Sequence, residues 1–301
     1  MSPADPDHVR LRFYCTGCCP GYHLPYFAAQ AAGIFADHGL EVEFLEPDRN
    51  GSVASVADGG AEFCLTSVLH LLREKAARPD LAARFVAIVM QRSPIAALVP
   101  EDSTIRTAAD LAGRRVAGSP DNHHVADYQA ALVTLGVKPS KVVDVPYREA
   151  PAALGRGEVD AVADFAELVP RTRRQAGLDV RPVRFGLDIY ASGLVAADRL
   201  DVDLVRRMRS AVIAAVELQH QDPKAGLEAF SARYPAVDQA EALEGWALME
   251  PNVFTDAEVG AMDAARWEAT IAHVAGTHGL PALDGPRVYN PAFTSERPVT
   301  V

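Results

Sequence analysis

The first part of the chain alternates short strand-like segments with segments of helical spacing. Residues 9–14 and 40–45 alternate apolar and polar side chains, which is typical of strands with one buried face. Between them, Leu24, Phe27 and Ala31 recur at the spacing of one helix face. This order predicts a strand–helix–strand unit.

The same rhythm continues along the chain. Further strands are predicted at residues 61–65, 84–90, 95–99, 114–117, 142–145, 161–164 and 189–196, and further helices at residues 67–77, 108–111, 123–135, 149–154 and 167–176. Strands that alternate with helices predict a mostly parallel sheet covered by helices, so we predict the α/β class.

The last third of the chain has helical periodicity only. Helices are predicted at residues 202–220, 223–233, 238–249 and 256–276. Pro223 begins the second of these, and Pro235 and Pro251 mark the breaks that follow. We therefore expect a helical C-terminal segment that packs back onto the first strands.

A length of 301 residues allows two compact lobes, because single hydrophobic cores stop growing at about 250–300 residues. We predict one lobe from residues 8–99 plus 190–301, and a second from residues 100–189. A weak internal echo supports this division. Residues 56–65 and 154–163 both run from a helix end through a Gly turn and an acidic residue into a strand.

Charge and hydropathy exclude some classes of partner. The formal net charge of −11 repels polyanions, so nucleic acid is not an expected partner. No stretch approaches the roughly 18–20 apolar residues of a membrane span. The first residues lack the charged-then-apolar pattern of an export signal, so we expect a cytoplasmic protein.

Three of the four cysteines, Cys15, Cys18 and Cys19, are clustered. Cys15 and Cys18 have the spacing of a metal or redox pair, but the sequence lacks a second pair for a zinc site, and we predict no metal. A thiol near a helix N-terminus and a histidine can become a nucleophile. The alternative is a tight loop of small residues that lets a ligand approach the backbone.

Ligands of open α/β sheets bind at the carboxyl ends of the strands, and this rule selects the candidate site residues. They are Cys18, Cys19, Tyr22, His23, Thr66, Ser67, His70, Gln91, Ser119, Asn122, His123, Asp164 and Tyr190. For an enzyme, the catalytic candidates among them are Cys19 and His70. Tyr22 is the first choice for stacking on a planar ligand.

The loop before the helix at residue 123 suits an anionic group. Ser119, Asn122 and the first N–H groups of that helix can hold a carboxylate, sulfonate or phosphate. Alternatively, the two side chains only cap the helix. His123 and His124 are adjacent, and because adjacent helical residues point about 100° apart, at most one of them faces a pocket.

Several segments resemble one superfamily. Residues 22–47, YHLPYFAAQAAGIFADHGLEVEFLEP, look like the opening of the thiamine-pyrimidine synthase and sulfonate, nitrate and pyrimidine binding-protein superfamily. The similarity continues through GGAEF at Gly59, DLAGRRV at Asp110 and GEVDA at Gly157, and covers residues 9–200. It implies the two-lobed type II periplasmic-binding fold. Most relatives are exported receptors of ABC importers, so an ABC permease is an expected partner only if this chain is exported.

Some cytoplasmic members of this superfamily are enzymes. His70 falls where the fungal-type hydroxymethylpyrimidine phosphate synthase has the histidine that it consumes, with pyridoxal phosphate and iron, and Thr66 stands at the position of its cofactor-binding lysine. Cys19-Pro20 resembles the nucleophile motif of the aromatic sulfinate desulfinase.

We therefore predict a solute-binding protein. It would bind a small planar or anionic organic molecule, pyrimidine-like or sulfonate-like, by closure of a cleft between the lobes. No cofactor is firmly implied. The alternative is a cytoplasmic enzyme on the same fold that acts through Cys19 or His70, and iron or pyridoxal phosphate is expected only for its synthase-like form.

Overall fold

The computed structural model describes residues 7–13, 20–46, 52–119 and 123–294, apart from the side chain of His123. The chain divides into two compact units. The first unit consists of Met1–Arg92, Ile189–Trp246 and Glu250–Val301, and the second of Ser93–Asp188 and Ala247–Met249.

The strands of the described residues form two five-stranded sheets. They are β1 (Asp7–Arg12), β2 (Leu40–Leu45), β3 (Phe63–Ser67), β4 (Ala83–Met90), β5 (Ile95–Pro100), β6 (Arg115–Ala117), β7 (Lys141–Val143), β8 (Ala161–Phe165), β9 (Val180–Arg184) and β10 (Ser192–Ala197). The first unit contains the order β2-β1-β3-β10-β4, and the second the order β7-β6-β8-β5-β9.

Helices connect and cover these strands. They are α1 (Leu24–Ala31), α2 (Ile34–Asp37), α3 (Ser52–Ala57), α4 (Val68–Ala77), α5 (His123–Thr134), α6 (Ala150–Gly155), α7 (Val169–Ala176), α8 (Val202–Gln221), α9 (Leu227–Arg233), α10 (Gln239–Val253), α11 (Ala264–His278) and α12 (Gly285–Val288). Short 3₁₀ helices lie at Pro20–His23, Ala108–Leu111, Ala166–Leu168 and Pro291–Phe293. Within the described residues, none of the helices has both the length and the apolar character that a membrane crossing requires.

The two sheets share one topology. β1 is parallel to β2 and β3, and β6 is parallel to β7 and β8. The fourth strand of each sheet, β10 or β5, is antiparallel to both of its neighbours. Each sheet thus has four like-directed strands and one opposed strand, so the predicted, mostly parallel arrangement is found with one reversed strand in each sheet. The alternation did not indicate the reversal because β5 and β10 each pair with strands that lie far away along the chain.

The internal echo in the sequence corresponds to this shared topology. Residues 56–65 lead into β3 and residues 154–163 lead into β8, and each of these strands is third in its sheet. Strands at equivalent places in the two sheets are therefore preceded by similar sequence.

Some local boundaries differ from the predicted ones. β9 was not predicted, because its alternation of Val with Arg and Pro has little apolar character. Pro251 lies inside the last turn of α10 rather than in a break. α11 begins at Ala264, after Asp263 accepts a hydrogen bond from the backbone N–H of Arg266, rather than at residue 256. The division between the units falls at residue 92, so β5 belongs wholly to the second unit.

Candidate functional site

The carboxyl edge of the second unit's sheet gathers several polar side chains. β6, β7, β8 and β9 run in the same direction, so their carboxyl ends lie at one edge. Asp164 and Arg184 lie at this edge, and both pair in register with Ala96 of the intervening β5. Tyr147 follows β7, and Glu167 follows β8.

Asp164 is the centre of this set and is 3% exposed. Its Oδ1 accepts hydrogen bonds from the backbone N–H of Phe165 at 2.9 Å and from the hydroxyl of Tyr147 at 3.4 Å. Nδ1 of His124, in the first turn of α5, lies 3.1 Å from the same oxygen. No group among the described residues donates to Oδ2 of Asp164. One carboxylate oxygen is thus held by the protein, and the other keeps its acceptor capacity.

Aromatic rings surround this carboxylate. The ring of His124 lies 4.4 Å from that of Phe165 and 5.4 Å from that of Tyr147, measured between centroids. Arg171 of α7 donates from Nη1 to the Tyr147 hydroxyl at 3.0 Å, and its guanidinium lies 4.9 Å from the centroid of the same ring. These contacts orient the rings, so a planar molecule would meet a preformed apolar wall beside a hydrogen-bond acceptor.

Glu167 and Arg184 are two further charged groups at this edge. Burial raises the pKa of Glu167 to about 7, and the charge of Asp164 adds to this rise. A hydrogen bond from the backbone N–H of Glu167 itself opposes the rise, as do the charges of Arg184 and His124. Burial also lowers the pKa of Arg184. The second unit therefore combines two carboxyl groups and a guanidinium in one weakly solvated region.

In the first unit, the carboxyl end of β3 places Ser67 beside His70. Ser67 caps α4 by accepting a hydrogen bond from the backbone N–H of His70 at 3.3 Å, and its hydroxyl lies 2.6 Å from Nδ1 of the same histidine. Ser192 of β10 pairs in register with Ser67. The hydroxyl of Thr66 is buried and makes no hydrogen bond among the described residues. Three predicted site residues thus meet at this edge.

Tyr22 and His23 lie in the first 3₁₀ helix and are mostly buried. The ring of His23 packs edge-on against Phe13 at 4.9 Å and against Tyr22 at 5.6 Å. Burial, and secondarily the neighbouring Tyr22, raises the pKa of Tyr26 well above its ordinary value. The surroundings of both predicted residues are an aromatic cluster.

Gln91 and Tyr190 belong to a hydrogen-bonded network around Arg266. The Gln91 amide donates to the carbonyls of Ile88 at 3.0 Å and Ala261 at 3.1 Å, and accepts from Arg266 Nη1 at 3.1 Å. The Tyr190 hydroxyl accepts from the backbone N–H of Asp263, and Arg266 lies 4.3 Å from the Tyr190 ring centroid. These polar atoms are used to join the start of α11 to the sheet, which favours a structural role.

The remaining predicted residues are only partly covered by the structure. Cys18, Cys19 and Asn122 lie outside the described residues, as does the side chain of His123. Ser119 follows β6 and is partly buried. Among the described residues, no three side chains of metal-binding type form a cluster that could hold an ion.

The sequence pattern named His124 as the alternative to His123 for facing a pocket, and it did not indicate Tyr147, Glu167, Arg171 or Arg184 as site residues. A signal was available for Glu167, which follows the predicted strand end by a few positions. The other three come together only through pairing of distant segments.

A family model described as NMT1/THI5 like matches residues 21–226, more than half of the chain. The chain belongs to the NMT1/THI5 like family. This confirms the resemblance drawn from residues 22–47 and the later segments.

Two relatives illustrate the range of similar proteins. The riboflavin-binding protein RibY of Chloroflexus aurantiacus is 26% identical over 295 residues, which cover 90% of this chain and 81% of RibY. The 4-amino-5-hydroxymethyl-2-methylpyrimidine phosphate synthase of Uromyces fabae is 36% identical over 73 residues, and these cover 24% of this chain and 20% of that enzyme. The chain thus matches only a fifth of the synthase's length.

Two solved structures share the fold of this NMT1/THI5-like chain. The periplasmic aliphatic sulphonate binding protein SsuA of Escherichia coli has a TM-score of 0.72 at 14% identity, and the match covers 98% of this chain and 96% of SsuA. The desulfurization enzyme DszB has a TM-score of 0.61 at 19% identity, and the match covers 95% of this chain and 97% of DszB. The predicted α/β fold of periplasmic-binding type is confirmed.

Thr66 does not suit a covalent role toward pyridoxal phosphate, the cofactor of the synthase-like alternative. The resemblance places the synthase's cofactor-binding lysine at Thr66, and a threonine hydroxyl cannot form the Schiff base that an amine forms with the cofactor's aldehyde. Thr66 therefore cannot take the part of that lysine.

Proposed function

We propose that this protein binds a small, planar organic solute that offers an N–H or O–H donor to Asp164. The observation that carries the proposal is the asymmetry of this carboxylate. Oδ1 is occupied by contacts with Phe165, Tyr147 and His124, whereas Oδ2 receives no donor from the described residues. A carboxylate held by its neighbours on one side is preorganised, because it need not reorient when a ligand arrives.

The neighbouring rings supply the apolar part of such a site. Ligand sites are mostly apolar and aromatic, with a few placed polar groups that set orientation. Phe165, His124 and Tyr147 provide the rings, and Arg171 holds Tyr147 in place. Stacking on these rings favours a planar solute.

The family comparison supports binding rather than a particular ligand. RibY, which matches most of this chain, is named as a riboflavin-binding protein, and SsuA as a sulphonate-binding protein. An anionic solute held by the loop at Ser119 is the second possibility that the sequence indicates. Cleft closure, an ABC permease partner and a cytoplasmic location stay predictions.

The test is a binding screen on the full chain with riboflavin, an aminopyrimidine and an alkanesulfonate, read by isothermal titration calorimetry. We expect saturable binding of a planar probe, and Asp164→Asn should weaken it by about tenfold or more, because the amide presents a donor where the ligand needs an acceptor. Asp160→Asn is the matched control, since Asp160 lies at the other end of β8 and binds Arg115.

Three results would overturn the proposal. One is the absence of binding by every planar probe. Another is an equal loss of affinity in Asp164→Asn and Asp160→Asn. The third is chemical conversion of the bound probe, detected by mass spectrometry, which would favour the enzyme alternative.

A further inference from the structure

Glu167 is a buried carboxyl group, and one of its two oxygens accepts no hydrogen bond from the described residues. It lies in the 3₁₀ helix that follows β8 and is 8% exposed. Its Oε2 is inaccessible and has no hydrogen-bond partner among the described residues. Leaving a buried carboxylate oxygen unpaired is costly, so the neutral acid is the form that this environment tolerates best.

Arg184 is the basic counterpart at the end of β9. It donates from Nη2 to the carbonyl of Leu248, a residue of the same unit, while its buried Nη1 makes no hydrogen bond among the described residues. Arg184 and Glu167 influence each other electrostatically, but neither an ion pair nor a hydrogen bond is formed between them. Among the residues that the structure describes, Glu167 therefore has no direct ionic partner.

The groups that act on Glu167 come from three other positions. Asp164, from β8, disfavours a second negative charge, whereas Arg184 of β9 and His124 of α5 favour it. Burial outweighs these charges. Asp164 is also the proposed hydrogen-bond acceptor for the ligand. The charge on Glu167 therefore changes the electrostatic potential at the carboxylate to which the ligand is proposed to bind.

We propose that Glu167 is a positioning residue. Its protonation sets the negative charge at the carboxyl edge of the second unit's sheet, and this charge decides whether neutral donor-bearing solutes or anionic solutes are preferred. The inference rests on the proposed function. With its proton, Glu167 leaves Asp164 as the single negative charge of this carboxyl pair. Without it, a second negative charge strengthens acceptance of an N–H donor and repels an anion.

The experiment measures selectivity at two pH values. Affinities for riboflavin and for hexanesulfonate, probes whose charges do not change between pH 6 and pH 8, are determined for the wild type. The ratio of riboflavin affinity to sulfonate affinity should rise about fivefold or more from pH 6 to pH 8, because deprotonation of Glu167 adds one negative charge to the carboxyl pair.

Glu167→Gln should remove most of this rise. Glu149→Gln is the matched control, because Glu149 is an exposed glutamate of the same unit, and this variant should retain the rise. A structural role alone would change both affinities together at each pH rather than their ratio.

A second measurement needs no ligand. NMR spectra are recorded for protein labelled with ¹³C at the glutamate carboxyls, and the resonance that is missing from Glu167→Gln is assigned to Glu167. In the wild type this resonance should titrate with a midpoint near the pKa of about 7. A midpoint near 4.5, the ordinary value, overturns the inference whatever the protein binds. Binding with a pH-independent ratio, or the same rise in Glu167→Gln, overturns the inference but leaves the proposed function intact. If neither probe binds, the proposed function fails and the selectivity role fails with it.

Discussion

His124 Nδ1 lies 3.1 Å from Asp164 Oδ1, and this contact joins the first turn of α5 to the end of β8. Both residues are more than nine-tenths buried. They are far apart along the chain and meet because α5 packs against β8. We expect this contact to help orient the acceptor on which ligand binding is proposed to depend.

Replacing His124 with phenylalanine tests this orientation. The ring packing with Phe165 and Tyr147 is kept, but Asp164 loses one of its polar contacts. We expect the affinity for a planar probe to fall about tenfold and the free energy of unfolding to fall by about 1–2 kcal/mol. His124→Asn, which retains a donor, should recover part of the affinity. Unchanged affinity in His124→Phe would show that Asp164 is positioned without the histidine.

The stability of the second unit should depend on the charge of Glu167. Its folded pKa of about 7 lies above the ordinary value of 4.5, so the folded state binds more protons between these values and stability falls as pH rises through this window. The full loss above the folded pKa is about 3 kcal/mol. Glu167→Gln lacks this loss, so its stability relative to the wild type should be more favourable at pH 8 than at pH 5. Urea unfolding at both pH values measures the difference, and a constant offset between the two proteins would contradict it.

Gln91→Leu separates structural from ligand-binding roles in the first unit. The substitution leaves the carbonyls of Ile88 and Ala261 without their amide donor and removes an acceptor from Arg266. We expect a loss of about 2–4 kcal/mol in the free energy of unfolding, because buried polar groups lose their partners. The affinity of the folded variant for a planar probe should stay within about twofold of the wild type, because the Gln91 amide is used within the protein. A selective loss of affinity with unchanged stability would restore Gln91 as a ligand residue.

Lys75 offers a pH test of opposite sign. It is 3% exposed, its Nζ donates to the carbonyl of Leu81 at 2.7 Å, and burial lowers its pKa to about 8 from 10.5. Between these values the unfolded chain binds more protons, so wild-type stability gains a contribution as pH rises from 8 to 10.5. Lys75→Met should be more stable than the wild type by about 1–2 kcal/mol at about pH 7 and should lose this advantage by about pH 10. An advantage of the same size at both pH values would show that the amine is not the cause.

Local periodicity predicted most strands and helices because these depend on side chains close together in the chain. β2 begins at Leu40 and ends at Leu45 as its alternation indicates, and α4 follows Ser67, which caps it. Strand ends also indicated Asp164 and the pair Ser67 and His70, since side chains that follow parallel strands lie at one edge.

What the sequence by itself determined is the α/β alternation, the family and the edge at which polar residues collect. Tertiary structure alone decided that β5 and β10 run against their neighbours, that His124 and Tyr147 contact Asp164, and that Arg184 lies across β5 from it. Periodicity reports which face of an element is buried, whereas these contacts depend on strand direction and register between distant segments. A position such as Arg184, on a strand with little apolar alternation, acquires its place only when β9 pairs with β5.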